Sequence, residues 1–302
     1  MTEAVPDWLR EPERGSTLGL RAMRAIARRA PAALTDPVIW LISLYFTLFP
    51  SAAAAAGADA YLRAVLGRAP HLSDRHRQVR TFAHVILDRV GLLADGAGAF
   101  AIRAANERIV ADLHARRRGA VLLGAHFGSF EALRAFDRTL PGLVVRYMMF
   151  EDNAEKTSRL LGGVNPALAG QVIALRDGID AMLAARTALD AGQLVAFLGD
   201  RMPRHAPRAE VEVTFFGRPL RLPRAPYLTA MLAEVPVVLC FAPRTGPRAY
   251  DIVFTQLHDG RPVPRAERDA TCAALAQAYA DAVADMCRRH PYNWFNFFDV
   301  WR

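Results

Sequence analysis

Residues 118–134, RGAVLLGAHFGSFEALR, combine a strand pattern, a glycine break and a helix pattern in one short stretch. The apolar run at 120–123 predicts a buried strand, which ends at Gly124 and is followed by His126. From Glu131 onward the spacing of apolar residues becomes helical. A strand that delivers a histidine to the start of a helix carrying a carboxylate indicates a site for base catalysis.

The spacing between His126 and Glu131 restricts how the two side chains can meet. Residues five apart on a continuous helix point about 140° away from each other, so we expect His126 in the turn before the helix. The positive end of the helix dipole would then keep the imidazole neutral, as a general base requires. If Glu131 bonds a ring nitrogen, it would fix the tautomer and stabilise the imidazolium. Gly124 and Gly128 would allow backbone and substrate to approach closely.

Other interpretations of this stretch stay open. His126 and Glu131 can also form a purely structural pair. Ser129 is a candidate nucleophile, although its surroundings differ from the G-x-S-x-G pattern of a nucleophile elbow. A zinc-binding helix of the H-E-x-x-H type is not present in this stretch.

The segment from His126 to Glu131, HFGSFE, resembles the HX4D/E motif of the lysophospholipid acyltransferase superfamily. It is most similar to the H-F-G-N-W-E version found in the bacterial lipid A biosynthesis (late) acyltransferases. Three further stretches carry the resemblance, which covers residues 8–302: LDAGQLVAFLGDR at 189–201, VTFFG at 213–217 and WFNFFDVW at 294–301. The last stretch is closest to a sub-branch associated with acylation of polyene-type and other acceptors that are not lipid A.

The resemblance implies acyl transfer from an acyl-carrier-protein or coenzyme A thioester to a hydroxyl or amine of a lipid or polyketide-like acceptor. His126 would act as the general base with Glu131 in support, and no metal or redox cofactor is implied. The oxyanion would need donors, which could be arginine side chains or backbone N–H groups of glycines. Arg146, at a strand end, and Arg201, beside Asp200, are the candidate side chains. By analogy, a glycine and a basic residue near 215–218 would bind acceptor phosphate or donor. The candidate substrate-binding residues are Gly128, Ser129, Arg146, Asp200, Arg201, Gly217 and Arg218.

Two other classes of function compete with this interpretation. The first is a thioesterase or lipase-type hydrolase that uses water or Ser129. The second is a non-catalytic lipid- or membrane-binding protein, in which His126 and Glu131 are structural.

Composition narrows the choice of partners. The chain has 302 residues, 52% of them hydrophobic, and a net charge of +8 with Lys156 as its single lysine. This charge favours an acidic carrier protein or an anionic membrane surface, whereas no nucleic-acid-binding signature is present. Cys240, Cys272 and Cys287 are widely spaced, which favours a reducing compartment over a disulfide framework.

The N-terminal part suggests contact with a membrane surface. Residues 15–30 have the pattern of a basic amphipathic helix, and residues 38–49, VIWLISLYFTLF, form the most apolar stretch. Those twelve residues are too few to span a bilayer, which takes about 20. The first residues lack a signal-peptide pattern. We therefore expect a cytoplasmic protein, peripheral on the inner face of the cytoplasmic membrane.

The remaining pattern predicts an α/β fold in which helices flank a mostly parallel sheet, preceded by a helical cap. Residues 1–117 are predicted to be helical, including a helix over 102–114, and residues 118–302 to form the acyltransferase domain. Predicted strands lie at 120–124, 143–149, 171–175, 194–198, 211–216, 235–241 and 250–257, and predicted helices at 131–138, 154–161, 179–189, 225–233 and 266–289. Sites in such sheets lie beyond the carboxyl ends of the strands, so His126 and Asp200 are expected to converge.

Overall fold

A computed structural model describes residues 32–95, 97–135, 140–150, 171–175, 179–202 and 210–301. The basic helix predicted at 15–30 and the helix predicted at 154–161 lie outside these residues. The structure otherwise follows the predicted class, because a mostly parallel central sheet is flanked by helices and preceded by N-terminal helices.

Three helices open the described chain: α1 at Ala32–Leu48, α2 at Ala52–Leu66 and α3 at Leu72–Asp95. The alanine-rich sequence of α2 is a strong helix former, and both of its ends are capped. The hydroxyl of Ser51 accepts the N–H of Ala54 at 3.3 Å, and Gly67 ends the helix with a φ of 65°. This helix agrees with the helical character predicted for residues 1–117.

The predicted helix over 102–114 is wrong in its first part. Ala101–Ala105 forms strand β1, and only Arg108–Ala115 is helical, as α4. Ile102 packs against the core on one face of the sheet. Asn106, with a φ of 60°, turns the chain between β1 and α4. The region predicted to be a helical cap therefore contributes an edge strand to the main sheet.

The main sheet has eight strands in the order β1-β10-β8-β2-β5-β3-β4, with β9 paired to β10. The five strands β2, β3, β4, β5 and β8 are parallel, whereas β10 is antiparallel to β8 and parallel to β1. Strands β6 and β7 form a separate hairpin. The strand bounds are β2 Ala120–Gly124, β3 Val145–Phe150, β4 Val172–Leu175, β5 Leu194–Leu198, β6 Glu210–Phe215, β7 Arg218–Pro223, β8 Val237–Phe241, β9 Arg244–Gly246 and β10 Ala249–His258.

The sheet is covered on both faces, which explains why β2 and β5 are continuously apolar. Val121 and Leu123 point into one core, and Ala120 and Leu122 point into the other. The first core is closed by α2 together with α5 at Ile179–Asp190, α6 at Ala225–Ala233 and α7 at Arg268–Arg289; the second is closed by α3 and α4. The three cysteines are buried in these cores as free thiols.

The chain after α7 packs on the sheet domain. Trp294 is 1% exposed and Phe295 5% exposed. The Trp294 ring lies 4.8 Å from that of Tyr61 on α2 and 5.4 Å from that of Phe215 on β6, measured between centroids. This segment therefore joins the N-terminal helices to the hairpin through one buried indole.

Deleting residues 291–302 should give insoluble protein, because removal of Trp294 exposes the apolar surface of the first core. A chain lacking only residue 302 is the control and should remain soluble. The measurement is the soluble fraction after expression, followed by size-exclusion chromatography. A soluble, monodisperse protein lacking 291–302 would contradict this expectation.

Candidate active site

His126 and Asp200 meet at the carboxyl edge of the parallel strands. β2 and β5 are neighbours with Gly124 paired to Leu198, so the residues that follow each strand leave the sheet side by side. Nδ1 of His126 lies 2.8 Å from Oδ1 of Asp200, and the backbone N–H of His126 donates to Oδ2 at 3.0 Å. The predicted convergence of these two residues is confirmed.

The contact with Asp200 determines the state of the imidazole. An ionised carboxylate only accepts hydrogen bonds, so Nδ1 of His126 must carry the proton and Nε2 is left with its lone pair. The Asp200 side chain is 2% exposed and that of His126 is 29% exposed. The carboxylate is therefore sealed in the protein, while the ring is accessible from outside.

The pKa values of both groups are shifted downward. Burial raises the pKa of Asp200, but the interactions with His126 and Arg201 outweigh it and hold that pKa well below its usual range. Burial lowers the pKa of His126, and the charge of Arg201 adds to this, while Asp200 opposes it. The imidazole is therefore neutral near pH 7, as predicted, but the main cause is burial rather than the dipole of a helix.

Glu131 occupies a different place from the one the sequence predicted. Its Oε2 accepts the hydroxyl of Ser129 at 2.9 Å, and its Oε1 lies 2.6 Å from Nε of Arg89 on α3. The expected support of His126 by Glu131 is therefore corrected, because Asp200 holds the ring nitrogen. Glu131 sits in a short 3-10 helix at Phe130–Ala135, rather than in the predicted α-helix, and faces α3.

Ser129 and Gly128 have structural roles in the loop that follows β2. Ser129 is 1% exposed and its hydroxyl donates to Glu131, so the hydroxyl is closed to substrate and is directed to Glu131 instead of His126. Gly128 has a φ of 60°, and a Cβ there would lie 1.8 Å from the carbonyl oxygen of Ala242. Glycine is therefore required at 128, because the backbone of the chain that follows β8 lies too close for any side chain there.

The four backbone N–H groups of residues 126–129 are engaged within the protein. The donors and acceptors are His126 N–H to Asp200 Oδ2 at 3.0 Å, Phe127 N–H to Ala125 O at 2.6 Å, Gly128 N–H to Asn293 O at 2.9 Å, and Ser129 N–H to Ala242 O at 3.0 Å. An oxyanion hole formed by the Gly128 amide does not fit this arrangement. A side-chain donor fits better.

Arg201 and Arg146, the two predicted oxyanion donors, lie at different edges of the sheet. Arg201 is close enough to His126 to lower its pKa. Arg146 pairs in register with Val195 near the start of β5, and its Nε donates to Gln193 at 2.8 Å. At about 3.3 Å of rise per residue, Arg146 lies roughly 10 Å below the carboxyl end of β5. The prediction of Arg146 as an oxyanion donor is therefore not supported.

Gly217 and Arg218 lie in the β6–β7 hairpin. Phe216 and Gly217 form its two-residue turn with φ values of 50° and 75°, as a type I′ turn requires. The guanidinium of Arg218 stacks on Trp301 at 4.3 Å from the ring centroid. These contacts give Gly217 a turn-forming role and Arg218 a role in holding the C-terminal segment.

Three residues near the site were not singled out from the sequence. Trp294 and Asn296 donate to Asp200 at 2.9 and 2.8 Å, and Arg89 pairs with Glu131. The aromatic stretch at 294–301 was noted in the sequence only for its resemblance to the family. Within the described ranges, no group of three or more His, Cys, Asp or Glu side chains is placed to hold a metal ion.

Comparison with known families places this site in context. The sequence model of the bacterial lipid A biosynthesis acyltransferases matches residues 74–302, from the start of α3 to the end of the chain. The chain belongs to the bacterial lipid A biosynthesis acyltransferase family. As a member of this family it is a lipid acyltransferase, and His126, Glu131 and Asp200 all fall inside the matched region. A search of curated proteins gave no match.

The Asp200 contact predicts how His126 titrates. His126 should titrate below its usual pKa of about 6.5, and Asp200→Asn should lower the pKa further, because the anion that favours the imidazolium is removed. NMR titration of labelled histidine measures this, with His126→Gln to assign the signal. A His126 pKa that stays unchanged or rises in Asp200→Asn would contradict the geometry.

Proposed function

We propose that this protein transfers a fatty acyl group from an acyl-carrier-protein or coenzyme A thioester to a hydroxyl or amine of a lipid or polyketide-like acceptor. His126 is the general base and Asp200 orients it. The observation that carries this proposal is the neutral, partly exposed imidazole whose Nδ1 is tied to a buried carboxylate. This is the arrangement that leaves Nε2 ready to accept a proton.

The reaction follows from these positions in two steps. Nε2 of His126 takes the proton of the acceptor hydroxyl or amine as that group attacks the thioester carbonyl carbon. Asp200 stabilises the resulting imidazolium through Nδ1–H. The tetrahedral intermediate then collapses and the carbon–sulfur bond breaks. The leaving thiolate takes up the proton that His126 carries, which restores the neutral imidazole.

We assign the oxyanion of this intermediate to Arg201. The loop amides are engaged, and Arg201 is the cation whose field acts most strongly on His126. Its Nε and Nη2 are bonded to the C-terminal segment, which holds the guanidinium in one orientation. Such a preorganised cation is worth more in a site shielded from water than in solution.

The competing serine hydrolase mechanism lacks support in this geometry. A nucleophilic Ser129 would need its hydroxyl within reach of His126, but that hydroxyl donates to Glu131 at 2.9 Å and is buried. Because the thioester is already activated, no acyl-enzyme is needed. Mass analysis of the product distinguishes acyl transfer, which gives acylated acceptor, from hydrolysis, which gives free acid.

His126→Ala should lower turnover by about two to four orders of magnitude, the range for a positioned general base, and should leave the fold intact. His114→Ala is the matched control, since His114 lies on α4 and its ring contacts the carbonyl oxygen of Pro141 at 3.1 Å. Turnover is measured with an acyl-carrier-protein donor and a total lipid extract, and folding by thermal denaturation. Near-normal turnover by folded His126→Ala would refute the assignment.

An acidic donor and an anionic membrane are the partners that the charge of the chain favours. The net charge of +8 attracts acyl carrier protein, which is strongly acidic, and it also attracts anionic headgroups. We therefore propose a peripheral location on the cytoplasmic face of the membrane. The phosphates of coenzyme A suit the same arginines, so this donor is tested in parallel.

The surface of α1 supports membrane contact. Eight large apolar side chains on or just after this helix are between 42% and 68% exposed: Val38, Trp40, Leu41, Ile42, Tyr45, Phe46, Leu48 and Phe49. Patches of this kind mark interaction sites, and Trp and Tyr suit the headgroup level. Of the helices in the described residues, none alone is long and apolar enough to cross a bilayer. Helices α1 and α2 pass by length and composition only as a pair, bent by 99°.

Replacing Leu41 and Phe46 with Glu should weaken binding to anionic vesicles by about tenfold or more, because two apolar groups are lost from the interface. The control replaces Leu183 and Leu232, which are 57% and 49% exposed on α5 and α6, with Glu. Co-sedimentation with phosphatidylglycerol-containing vesicles measures binding for both variants. Equal binding by the two variants would exclude α1 as the docking surface.

A further inference from the structure

The segment after α7 lies directly on the loop that carries His126. Phe127 and Trp294 form an antiparallel bridge. The N–H of Gly128 donates to the carbonyl oxygen of Asn293 at 2.9 Å, and the N–H of Phe295 donates to that of His126 at 2.8 Å. The loop is thus paired with the C-terminal segment as strands pair in a sheet.

The same segment also sends two side chains to Asp200. Oδ2 of Asp200 accepts the indole N–H of Trp294 at 2.9 Å, the amide of Asn296 at 2.8 Å and the backbone N–H of His126 at 3.0 Å. Trp294 is 1% exposed and Asn296 is fully buried. With Oδ2 held from three directions, Oδ1 remains aligned with Nδ1 of His126.

Arg201 fixes the orientation of the Asn296 amide. Nε of Arg201 donates to Oδ1 of Asn296 at 2.5 Å, and Nη2 donates to the carbonyl oxygen of Phe295 at 2.9 Å. Because arginine has only donors, the Asn296 oxygen must face Arg201 and its NH2 group must face Asp200. The Asn296 side chain therefore links Arg201 to Asp200, and its amide can take only one of its two orientations.

Trp294 is fixed from the opposite side. Its ring packs against those of Tyr61 and Phe215, and its carbonyl oxygen accepts the side-chain amide of Gln78 on α3 at 2.9 Å. The indole N–H consequently has little freedom to leave Asp200. The aromatic contacts hold the ring of Trp294, and the Gln78 contact holds its backbone.

We propose that Trp294 and Asn296 are positioning residues for the His126–Asp200 pair, so that the C-terminal segment is a working part of the active site. The part of this inference that concerns turnover rests on the proposed acyl transfer. The part that concerns the state of His126 does not, because it can be observed without substrate. Loss of positioning should lower kcat and leave KM nearly unchanged, since neither residue is assigned to substrate binding.

The first test compares Trp294→Phe with Trp301→Phe. Both variants lose an indole N–H in the same segment, but Trp301 donates to the carbonyl oxygen of Phe215 at 3.2 Å rather than to Asp200. We expect Trp294→Phe to lower kcat about tenfold, the size expected for one lost bond to a charged group, with KM within about twofold. Trp301→Phe should keep kcat within about twofold of the parent.

The second test uses the tautomer of His126 and needs no substrate. Asn296→Leu removes the NH2 group that donates to Oδ2 of Asp200 at 2.8 Å, so Oδ1 should no longer stay aligned with Nδ1 of His126. The fraction of neutral His126 that carries its proton on Nδ1 should therefore fall. Long-range ¹H–¹⁵N correlation spectra of labelled histidine measure this fraction, with Trp301→Phe as the variant that should leave it unchanged.

The outcomes separate this inference from the proposed function. If no donor gives acyl transfer but the Nδ1-protonated fraction of His126 falls in Asn296→Leu and not in Trp301→Phe, the positioning role stands and the proposed function falls. If acyl transfer is found but Trp294→Phe and Trp301→Phe lose equal kcat, the positioning role is overturned. An unchanged tautomer of His126 in Asn296→Leu also overturns it.

Discussion

The structure depends on keeping the charge of Asp200 inside the protein. An isolated carboxylate at that depth would cost several kcal/mol, so it must be surrounded by donors. Four N–H groups converge on it, from the backbone and ring of His126, from Trp294 and from Asn296. The need to satisfy one buried anion thus brings the end of β2, the end of β5 and the C-terminal segment to one point.

This requirement links stability to chemistry. The donors that satisfy the buried carboxylate also fix the imidazole, and the partial burial of the ring lowers its pKa and keeps it neutral. Glu131, five residues after His126, ties the loop to α3 through Arg89. The two acids therefore have separate tasks, since Asp200 acts on the ring and Glu131 acts on the loop that carries it.

The sequence was sufficient for the elements whose pattern is local. The bounds of β2 and β5 were predicted correctly because each is a short apolar run that is closed by a glycine. The meeting of His126 and Asp200 was predicted because parallel strands end at the same edge of a sheet. Strand β1 was missed because Ala101–Ala105 lies at an edge with little apolar pattern. The partner of His126 was misassigned because Asp200 lies 74 residues away, whereas Glu131 was near in sequence. The contacts of Trp294 and Asn296 with Asp200 span 94 and 96 residues, which periodicity cannot reveal.

The tautomer of His126 tests the central claim most directly. In protein labelled with ¹⁵N-histidine, long-range ¹H–¹⁵N correlation spectra above the pKa of His126 distinguish a protonated Nδ1 from a protonated Nε2. The account predicts that the proton resides on Nδ1, bonded to Asp200, with Nε2 unprotonated. A proton found on Nε2 would mean that Asp200 does not hold the ring, and the proposed base could not accept a proton from the acceptor.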